Sequence, residues 1–327
     1  MKVLLTGATG FVGSHILDSL CESRLPVRLL LRRASDTRFI AAHLPHVEVR
    51  YGSLDDPAVL SAAMEGVEAV VHCAGKVRAI RVAEFYEANQ AGARQMALAA
   101  NTHKGALRQF IHLSSLAAVG PAGLEAPARE EGPPHPVSEY GRSKLLGEEE
   151  VRRVCEAPFT ILRPGAVYGP RDTDFLHSFR LVRRRLMPLL NGGRMPFALI
   201  YVRDLAEAVR RCLGRDEALG KTYHVAHPEP CSNVLLLQEI AAQMDVRPLR
   251  FPVPVKAMYP LCLWEELWAR FTGRPSIVSR QKLAELGARG WAASVEKIRD
   301  ELGFVARTSL REGVAQTLAG YRRDGWL

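Results

Sequence analysis

The glycine-rich stretch near the amino terminus constrains the fold more than any other part of the chain. A short apolar run, "KVLLT" at 2–6, leads into "TGATGFVG", which places Gly7, Gly10 and Gly13 between a predicted strand and a predicted amphipathic helix. Glycines in this pattern allow a tight turn, a close approach of the backbone to a pyrophosphate and close packing of the helix on the sheet. The amides at the start of such a helix attract phosphate charge. The sequence therefore predicts a dinucleotide-binding turn.

Short apolar runs alternate with helical periodicity over the first 165 residues. After the first run, they are "VRLLL" (27–31), "VEVR" (47–50), "VEAVVHCA" (67–74), "QFIHLSS" (109–115) and "FTILR" (159–163). Helical periodicity fills the gaps, as at 11–22, 56–64, 84–103 and 138–155. This alternation predicts an α/β protein with a doubly wound parallel sheet, a Rossmann fold, covered by helices on both faces. We assign residues 1–165 to this dinucleotide-binding domain.

The pattern changes after residue 165, where helical and irregular stretches dominate. Two apolar runs, "FALIYV" at 197–202 and "KTYHVA" at 221–226, predict strands that return to the first sheet. The final helix is predicted to begin with a capping box formed by Ser309 and Glu312. We therefore expect residues 166–327 to form mostly a smaller, discontinuous lobe that binds the substrate.

The composition, 47% hydrophobic and 24% charged, is typical of a soluble globular protein. The net charge of +9 attracts anions, including phosphorylated cofactors. The sequence has no nucleic-acid-binding motif, so no nucleic-acid partner is predicted. The six cysteines form no ligand-like cluster, which predicts reduced thiols and no metal site. No signal peptide or membrane-spanning run is evident, so we expect a cytoplasmic location.

The end of the second predicted strand indicates which dinucleotide binds. An acidic side chain about 20 residues past the glycines would bind a ribose 2′-hydroxyl. This chain instead has Arg32 and Arg33, followed by Ser35. Because guanidinium groups suit a 2′-phosphate, we predict that NADP(H) is preferred. NAD(H) remains an alternative, since Asp36 could reach back to the ribose.

A phenol and an ammonium group lie four positions apart in "EYGRSK" at 139–144. Tyr140 and Lys144 would share one face of the predicted helix. A free phenol titrates near about pH 10, and a neighbouring cation favours the phenolate and lowers its pKa. The pair predicts a proton donor or acceptor for a carbonyl/alcohol couple. An ordinary surface pair would have the same spacing.

Five motifs follow one another along roughly the first 170 residues. They are "TGATGFVG" (6–13), "HCAG" (72–75), "HLSSLAAVG" (112–120), "YGRSK" (140–144) and "RPGAVYGP" (163–170). In this order they resemble the extended short-chain dehydrogenase/reductase family. The resemblance implies an NAD(P)-dependent enzyme, and it is poorly specific for the substrate.

The resemblance implies a catalytic set. Tyr140 would be the general acid/base, and Lys144 would lower its pKa and bind the nicotinamide ribose. Ser115 would polarise the substrate carbonyl, with Ser114 as a rival for that role. Asn89 would help to order the proton relay.

The same resemblance implies which residues line the dinucleotide. They are Gly7, Thr9, Gly10, Phe11, Val12, Gly13, Arg32, Arg33, Ser53, Leu54, Cys73, Ala74, Gly75, Ser114, Tyr140, Lys144, Pro164, Gly165 and Val167. The chain departs from the family pattern at Ser53, which stands where an acid often lies near the adenine. Val119 replaces a tyrosine that is often found before Gly120.

The carboxy-terminal half, including "LIYVRDLAEAV" at 199–209, is similar to the 3β-hydroxysteroid dehydrogenase and dihydroflavonol reductase branch of the family. This likeness implies a small-molecule substrate that is an apolar alcohol or ketone. Sugar dehydratases of the family have acidic residues after the catalytic hydroxyl, and Leu116 and Ala117 stand there in this chain. A dehydratase is therefore disfavoured.

Two alternatives remain open. The first is a nucleotide-sugar 4-epimerase with tightly held NAD. Its diphosphate clamp would draw on arginines of the second lobe, namely Arg171, Arg180, Arg183 or Arg194. The second is a non-catalytic dinucleotide sensor, which the complete set of Ser115, Tyr140 and Lys144 disfavours.

An apolar stretch at 256–271 contains Trp264 and Trp268 and predicts a helix. The helix could line the substrate pocket, contact a membrane surface or face the core, and we favour the core-facing interpretation. By analogy with the family, the helices at 84–103 and 138–155 would pair in a homodimer.

Overall fold

A computed structural model describes residues 1–272 and 280–327 of the chain. Its strands, numbered in chain order, are β1 (Val3–Thr6), β2 (Val27–Leu31), β3 (Glu48–Tyr51), β4 (Ala69–His72), β5 (Gln109–Leu113), β6 (Phe159–Pro164), β7 (Ala166–Tyr168), β8 (Leu186–Leu190), β9 (Pro196–Phe197), β10 (Leu199–Tyr201), β11 (Lys221–Val225), β12 (Cys231–Ser232) and β13 (Leu249–Val253). Its helices are α1 (Phe11–Glu22), α2 (Pro57–Met64), α3 (Ala83–Phe85), α4 (Gly92–Asn101), α5 (Glu139–Val154), α6 (Leu176–Arg183), α7 (Val202–Cys212), α8 (Asn233–Gln243), α9 (Tyr259–Thr272), α10 (Arg280–Leu286), α11 (Glu296–Leu302) and α12 (Leu310–Arg323).

A seven-stranded parallel sheet lies at the centre, with the strand order β3-β2-β1-β4-β5-β6-β11. This topology confirms the predicted doubly wound α/β fold. Each of the six apolar runs of the first 165 residues forms one of its strands. Because the strand order reverses beside β1, the carboxyl ends of β1 and β4 flank a crevice, where such folds bind their ligands.

Both faces of the sheet are covered, as the uninterrupted apolar strands predict. The side chains of β1 alternate between two cores. Val3 and Leu5 pack in the core that contains Leu17 of α1, whereas Leu4 packs in the core that contains Met96 of α4. All of these side chains are fully buried, and their alternation follows from the two-residue period of a strand.

One of the two predicted returning strands is confirmed and the other is wrong. Residues 221–226 supply β11, which pairs with β6 at the edge of the sheet. Residues 197–202 supply β10, which pairs instead with β7 in a separate two-stranded sheet. β11 occupies the edge of the sheet beside β6, so β10 cannot pair with β6. After β6, the chain leaves the sheet at Gly165. Gly165 N donates to Val225 O at 3.0 Å, and Ala166 N donates to Ala198 O at 2.9 Å.

A further core lies outside the central sheet, among α6, α8 and α12. Phe179, Ile240 and Tyr321, one from each helix, are fully buried there. The capping box predicted for α12 is confirmed. Ser309 Oγ accepts from Glu312 N at 3.3 Å, and Ser309 N donates to Glu312 Oε2 at 3.1 Å. The domain boundary at residue 165 stays a prediction.

The apolar helix predicted at 256–271 forms as α9, but the core-facing interpretation is wrong. Trp264 is 61% exposed, Trp268 is 56% exposed and Phe271 is 80% exposed. Among the side chains of α9 that the structure describes, the buried ones are Cys262 and Ala269, which form a narrow inner face. The helix lies at the periphery, so most of its apolar side chains have no core to enter. Within the described ranges, no helix combines the length and the apolarity needed to cross a bilayer.

Candidate active site

The glycine turn between β1 and α1 has the tight geometry that the sequence predicts. Gly7 has a φ of +75°, and a Cβ atom there would lie 2.6 Å from Ala74 N on the neighbouring strand end. A Cβ atom on Gly13 would lie 2.1 Å from Gly7 O, so only glycine lets the helix approach the turn. Gly10 N donates to Gly7 O at 3.0 Å, and α1 begins at the next residue. This cradle fits a pyrophosphate.

A cavity of about 1620 Å³ extends from this turn along the carboxyl ends of the central strands to α10 and Trp291. Its volume exceeds the roughly 300–1,000 Å³ of a site for one small ligand. The walls include Ser115, Tyr140, Lys144 and Asn89, and every residue of the predicted dinucleotide set apart from Arg33. The fold therefore brings the predicted catalytic and cofactor residues together in one place.

The two arginines at the end of β2 have different positions. Arg32 and Ser35 line the cavity. Arg33 lies outside the cavity, with its guanidinium carbon 5.4 Å from the centre of the Tyr51 ring, in a cation–π contact. The chain turns directly after β2, with Ser35 N donating to Arg32 O at 2.9 Å, and this turn directs Arg33 away from the cavity. The role of Arg33 in binding the dinucleotide stays a prediction.

Asp36, the acid that could have reached the ribose, is held elsewhere. Its carboxylate accepts from Arg38 N at 3.0 Å and from Arg38 Nε at 2.6 Å. Asp36 is not part of the cavity wall. The cationic Arg32 is therefore the charged group that this strand end presents to the cavity.

The first turn of α5 presents Tyr140 to the cavity. Ser138 caps the helix by accepting from Gly141 N at 3.1 Å. Ser115 follows β5, where its hydroxyl accepts from Ala117 N at 3.1 Å. Two elements that are distant in sequence thus place a serine and a phenol in the wall of the same cavity, where hydrogen bonding from Ser115 lowers the pKa of Tyr140.

The structure separates Ser115 from its rival. Ser114 donates to Glu148 Oε1 at 2.5 Å, on the buried side of the strand end. The Ser114 hydroxyl is therefore engaged with a carboxylate, while Ser115 contacts Tyr140. This geometry favours Ser115 as the hydroxyl that meets a substrate carbonyl.

Lys144 lies beside the cavity floor, one helical turn from Tyr140. Its Nζ donates to Leu113 O at 2.5 Å. Burial lowers the pKa of Lys144 to about 8, against opposing effects of Cys73 and Glu148.

The expected lowering of the pKa of Tyr140 by Lys144 needs correction. Burial is the larger influence and raises the pKa of Tyr140 to about 12, because desolvation penalises the phenolate. The hydrogen bond from Ser115 acts in the opposite direction, and the carboxylate of Glu285 raises the pKa further. At neutral pH the phenol is therefore protonated and is a proton donor.

Asn89 lies in the π-helical turn Tyr86–Ala91 that joins α3 to α4. Its amide binds the backbone of Lys76 in both directions, with each bond 2.9 Å long, and also donates to Ser143 Oγ at 2.9 Å. Asn89 therefore links the loop after β4 to α5. A local widening of the helix often marks a functional position.

The far end of the cavity, meaning the lining beyond the predicted cofactor and catalytic residues, carries both apolar side chains and polar ones such as Asp172, Asp174 and Asn233. Its apolar lining side chains include Val77, Ile80, Leu190, Met195, Phe197, Leu236, Leu286 and Trp291. None of the four arginines considered for a diphosphate clamp lines it. The basic side chains that do line it already have partners in the structure: Lys76 pairs with Glu84, Arg78 with Asp174, Arg142 with Tyr86, and Lys282 with Glu285.

Comparison with known proteins agrees with this geometry. The sequence profile of the NAD dependent epimerase/dehydratase family matches residues 3–226. The chain belongs to this family. Ceramide reductase of Caulobacter vibrioides is 31% identical over 99% of this chain and 96% of its own length. Sterol demethylase protein B of Methylococcus capsulatus is 28% identical over the whole of both chains.

A solved structure has the same fold. UDP-glucuronic acid 4-epimerase from Bacillus cereus, in complex with UDP-glucuronic acid and NAD, aligns with a TM-score of 0.79, covering 99% of each chain at 20% identity. Enzymes of this epimerase/dehydratase family are NAD-dependent oxidoreductases and epimerases of the extended short-chain type. The resemblance inferred from the motifs is thereby confirmed.

Glu148 is a site residue of this family member that the sequence analysis missed. It is fully buried and accepts from Arg163 Nε at 2.8 Å and from Arg163 Nη2 at 2.7 Å. Burial alone would raise its pKa, but the bonds from Arg163 and Ser114 hold the pKa below the usual range. Arg163 belongs to β6 and Glu148 to α5, so the pair fixes α5 against the sheet. Arg163 directly precedes Pro164 and Gly165, which line the cavity. The four-residue spacing from Lys144 could have indicated Glu148.

Glu285 is a second missed residue, and it comes from α10. It accepts from Ser138 Oγ at 2.8 Å, although the two residues are 147 positions apart, and from Lys282 Nζ at 2.9 Å. The carboxylate therefore lies at the cap of the catalytic helix, close enough to raise the pKa of Tyr140. No local pattern in the sequence points to this contact.

Proposed function

We propose that this protein is an oxidoreductase that prefers NADP(H) and interconverts an apolar carbonyl compound and its alcohol. The placement of Ser115, Tyr140 and Lys144 in the wall of one cavity that begins at the glycine turn is the observation that carries this proposal. A dinucleotide sensor that only binds its ligand has no need of that set.

The nicotinamide, when bound, supplies or accepts the hydride. Tyr140 is protonated at neutral pH and donates its proton to the oxygen of the substrate carbonyl as that oxygen gains charge. Ser115 donates a hydrogen bond at the same site and then to the phenolate that remains. The Lys144 ammonium stabilises that phenolate by its charge. Asn89 holds the adjoining loop in place.

The apolar substrate is supported by the composition of the far end of the cavity. Apolar side chains such as Phe197, Leu236 and Trp291 line it. The relatives named for ceramide and sterol chemistry, both aligned over nearly their whole lengths, support the same substrate class. A nucleotide-sugar substrate would need cations for its diphosphate. Apart from Arg32 and Lys144, which are assigned to the dinucleotide, the basic side chains of the cavity already have partners.

Turnover of purified protein tests the proposal. With long-chain or polycyclic ketones, we expect NADPH to be oxidised in a fixed ratio to ketone reduced. We also expect purification to yield protein largely free of dinucleotide, since a reductase exchanges its cofactor. Tightly retained NAD, together with interconversion of UDP-sugars and no net NADPH oxidation, would show an epimerase instead.

Replacing Arg32 with alanine is expected to lower kcat/KM for NADPH by about 10- to 100-fold, because a charge-assisted hydrogen bond to the 2′-phosphate contributes about 1.5–3 kcal/mol. The value for NADH should change little. Steady-state kinetics with both cofactors measures the effect. Arg33→Ala is the matched control, since Arg33 lies against Tyr51 outside the cavity and should keep the wild-type ratio. An unaltered ratio in Arg32→Ala would contradict the proposed preference.

A further inference from the structure

The outer surface of α9 carries a continuous apolar stripe. Leu261, Trp264, Leu267, Trp268 and Phe271 are each about half exposed or more. Their spacing of three or four residues places them along one side of the helix. The rings of Trp264 and Trp268 stack 6.3 Å apart at an angle of 10°. Soluble monomers rarely expose a contiguous apolar patch of this kind unless it is an interaction surface.

The opposite side of the same helix covers the substrate end of the cavity. Ala269 is buried and lines the cavity. Ala284 and Leu286 of α10 also line the cavity. The apolar stripe and the apolar end of the cavity are therefore separated by the thickness of one helix.

The approach to α9 is basic. Strand β13 leads through a short turn into the helix, and Arg247, Arg250 and Lys256 are exposed along this segment. Leu249, 68% exposed, adds an apolar side chain between the arginines. The whole chain carries a net charge of +9. Exposed tryptophan, leucine and phenylalanine beside arginine and lysine are typical of helices that lie in the interface of a membrane with anionic lipids.

We propose that α9 docks the protein on a bilayer surface that contains anionic lipids, with the stripe in the headgroup boundary and the cavity open to lipid-dissolved substrate. The inference rests on the proposed function, since a ketone or alcohol that needs an apolar pocket partitions into bilayers.

Flotation with vesicles tests the docking, using the full chain and vesicles of phosphatidylcholine alone or mixed with an equal part of phosphatidylglycerol. We expect binding to the mixed vesicles, weaker binding to phosphatidylcholine, and a loss of binding as salt rises. The double variant Trp264→Ser/Trp268→Ser should bind more than about tenfold more weakly. Leu124→Ser is the matched control, because Leu124 is 57% exposed outside α9, and it should bind like the wild type.

Turnover of a short, water-soluble ketone separates this inference from the proposed function. The double variant should reduce it at the wild-type rate, because neither tryptophan lines the cavity. A wild type that reduces the ketone and binds neither vesicle overturns the docking and leaves the function intact. A wild type that dimerises, with a monomeric double variant and no vesicle binding, assigns the stripe to self-association and also overturns it.

Discussion

Replacing Tyr140 with phenylalanine is expected to lower kcat by about 10²- to 10⁴-fold, the usual contribution of a general acid. The substitution removes only the hydroxyl that accepts from Ser115, and it keeps the ring that borders the cavity. Dinucleotide affinity should stay within about twofold, because the glycine turn is untouched. Steady-state rates, together with a fluorescence titration of NADPH, measure the two effects separately.

Tyr86→Phe is the matched control for this variant. Tyr86 donates its hydroxyl to Glu139, also at the start of α5, so its loss perturbs the same region without removing the proposed acid. We expect Tyr86→Phe to keep most of the wild-type activity. Equal losses in Tyr86→Phe and Tyr140→Phe, or an active Tyr140→Phe, would contradict the role given to Tyr140.

The parts of the site that were predictable depend on local chemistry. Gly7 and Gly13 stand where a Cβ atom would collide with backbone, so the turn is encoded in the residues that form it. The i, i+4 spacing of Tyr140 and Lys144 needs only a helix to bring the two side chains to one face. Ser115 required the family resemblance, because its partner lies on another element.

The parts that were missed depend on contacts between distant segments. Glu285 reaches the cap of α5 only through the packing of α10, and its 147-position separation from Ser138 leaves no periodic signal. The strand at 199–201 has the composition of a strand of the central sheet, but the edge beside β6 is occupied by β11, and the strand at 199–201 pairs with β7 instead. The apolar side chains of α9 have the composition of a core helix. Their exposure follows from the peripheral position of the helix, which the sequence does not indicate.

The pKa of Tyr140 also depends on packing that the sequence does not reveal. Spacing indicates that a cation lies nearby, which favours phenolate, but it does not indicate how far the ring is withdrawn from water. Burial raises the pKa of Tyr140 to about 12 and outweighs the hydrogen bonding from Ser115, which lowers it. The consequence is chemical: the folded protein keeps the proton that carbonyl reduction consumes.

A stacked pair of buried histidines in the central sheet, His72 and His112, is expected to make the protein sensitive to acid. His72 of β4 and His112 of β5 are neighbours across the sheet, with their rings stacked 5.5 Å apart at 18°. His72 Nδ1 bonds to Thr6 Oγ1 at 2.8 Å, whereas neither nitrogen of His112 has a partner among the described residues. Burial lowers the pKa of His72 to about 3 and that of His112 well below its usual value, and the charge of Lys144 adds to both effects.

The sign of the effect follows from proton binding. Both histidines have a lower pKa in the folded protein than in the unfolded chain, where histidine titrates near about 6.5. Below that pH the unfolded chain binds more protons, so the free energy of unfolding falls as pH falls, by up to about 1.4 kcal/mol per pH unit for each histidine. Between about pH 7.5 and pH 5 the pair should cost about 4 kcal/mol of stability.

Urea unfolding at these two pH values measures the loss for the wild type and for His112→Leu, which removes one of the two buried imidazoles. The difference between the two pH values should shrink by about 2 kcal/mol in the variant, the contribution of one buried imidazole, whatever its stability at neutral pH. His46→Leu, which removes an exposed histidine, should keep the wild-type difference. If His112→Leu loses as much stability as the wild type on acidification, protonation of the buried pair is not what destabilises the sheet. A reduced loss would show that the buried imidazoles stay neutral in the folded protein and bind protons on unfolding.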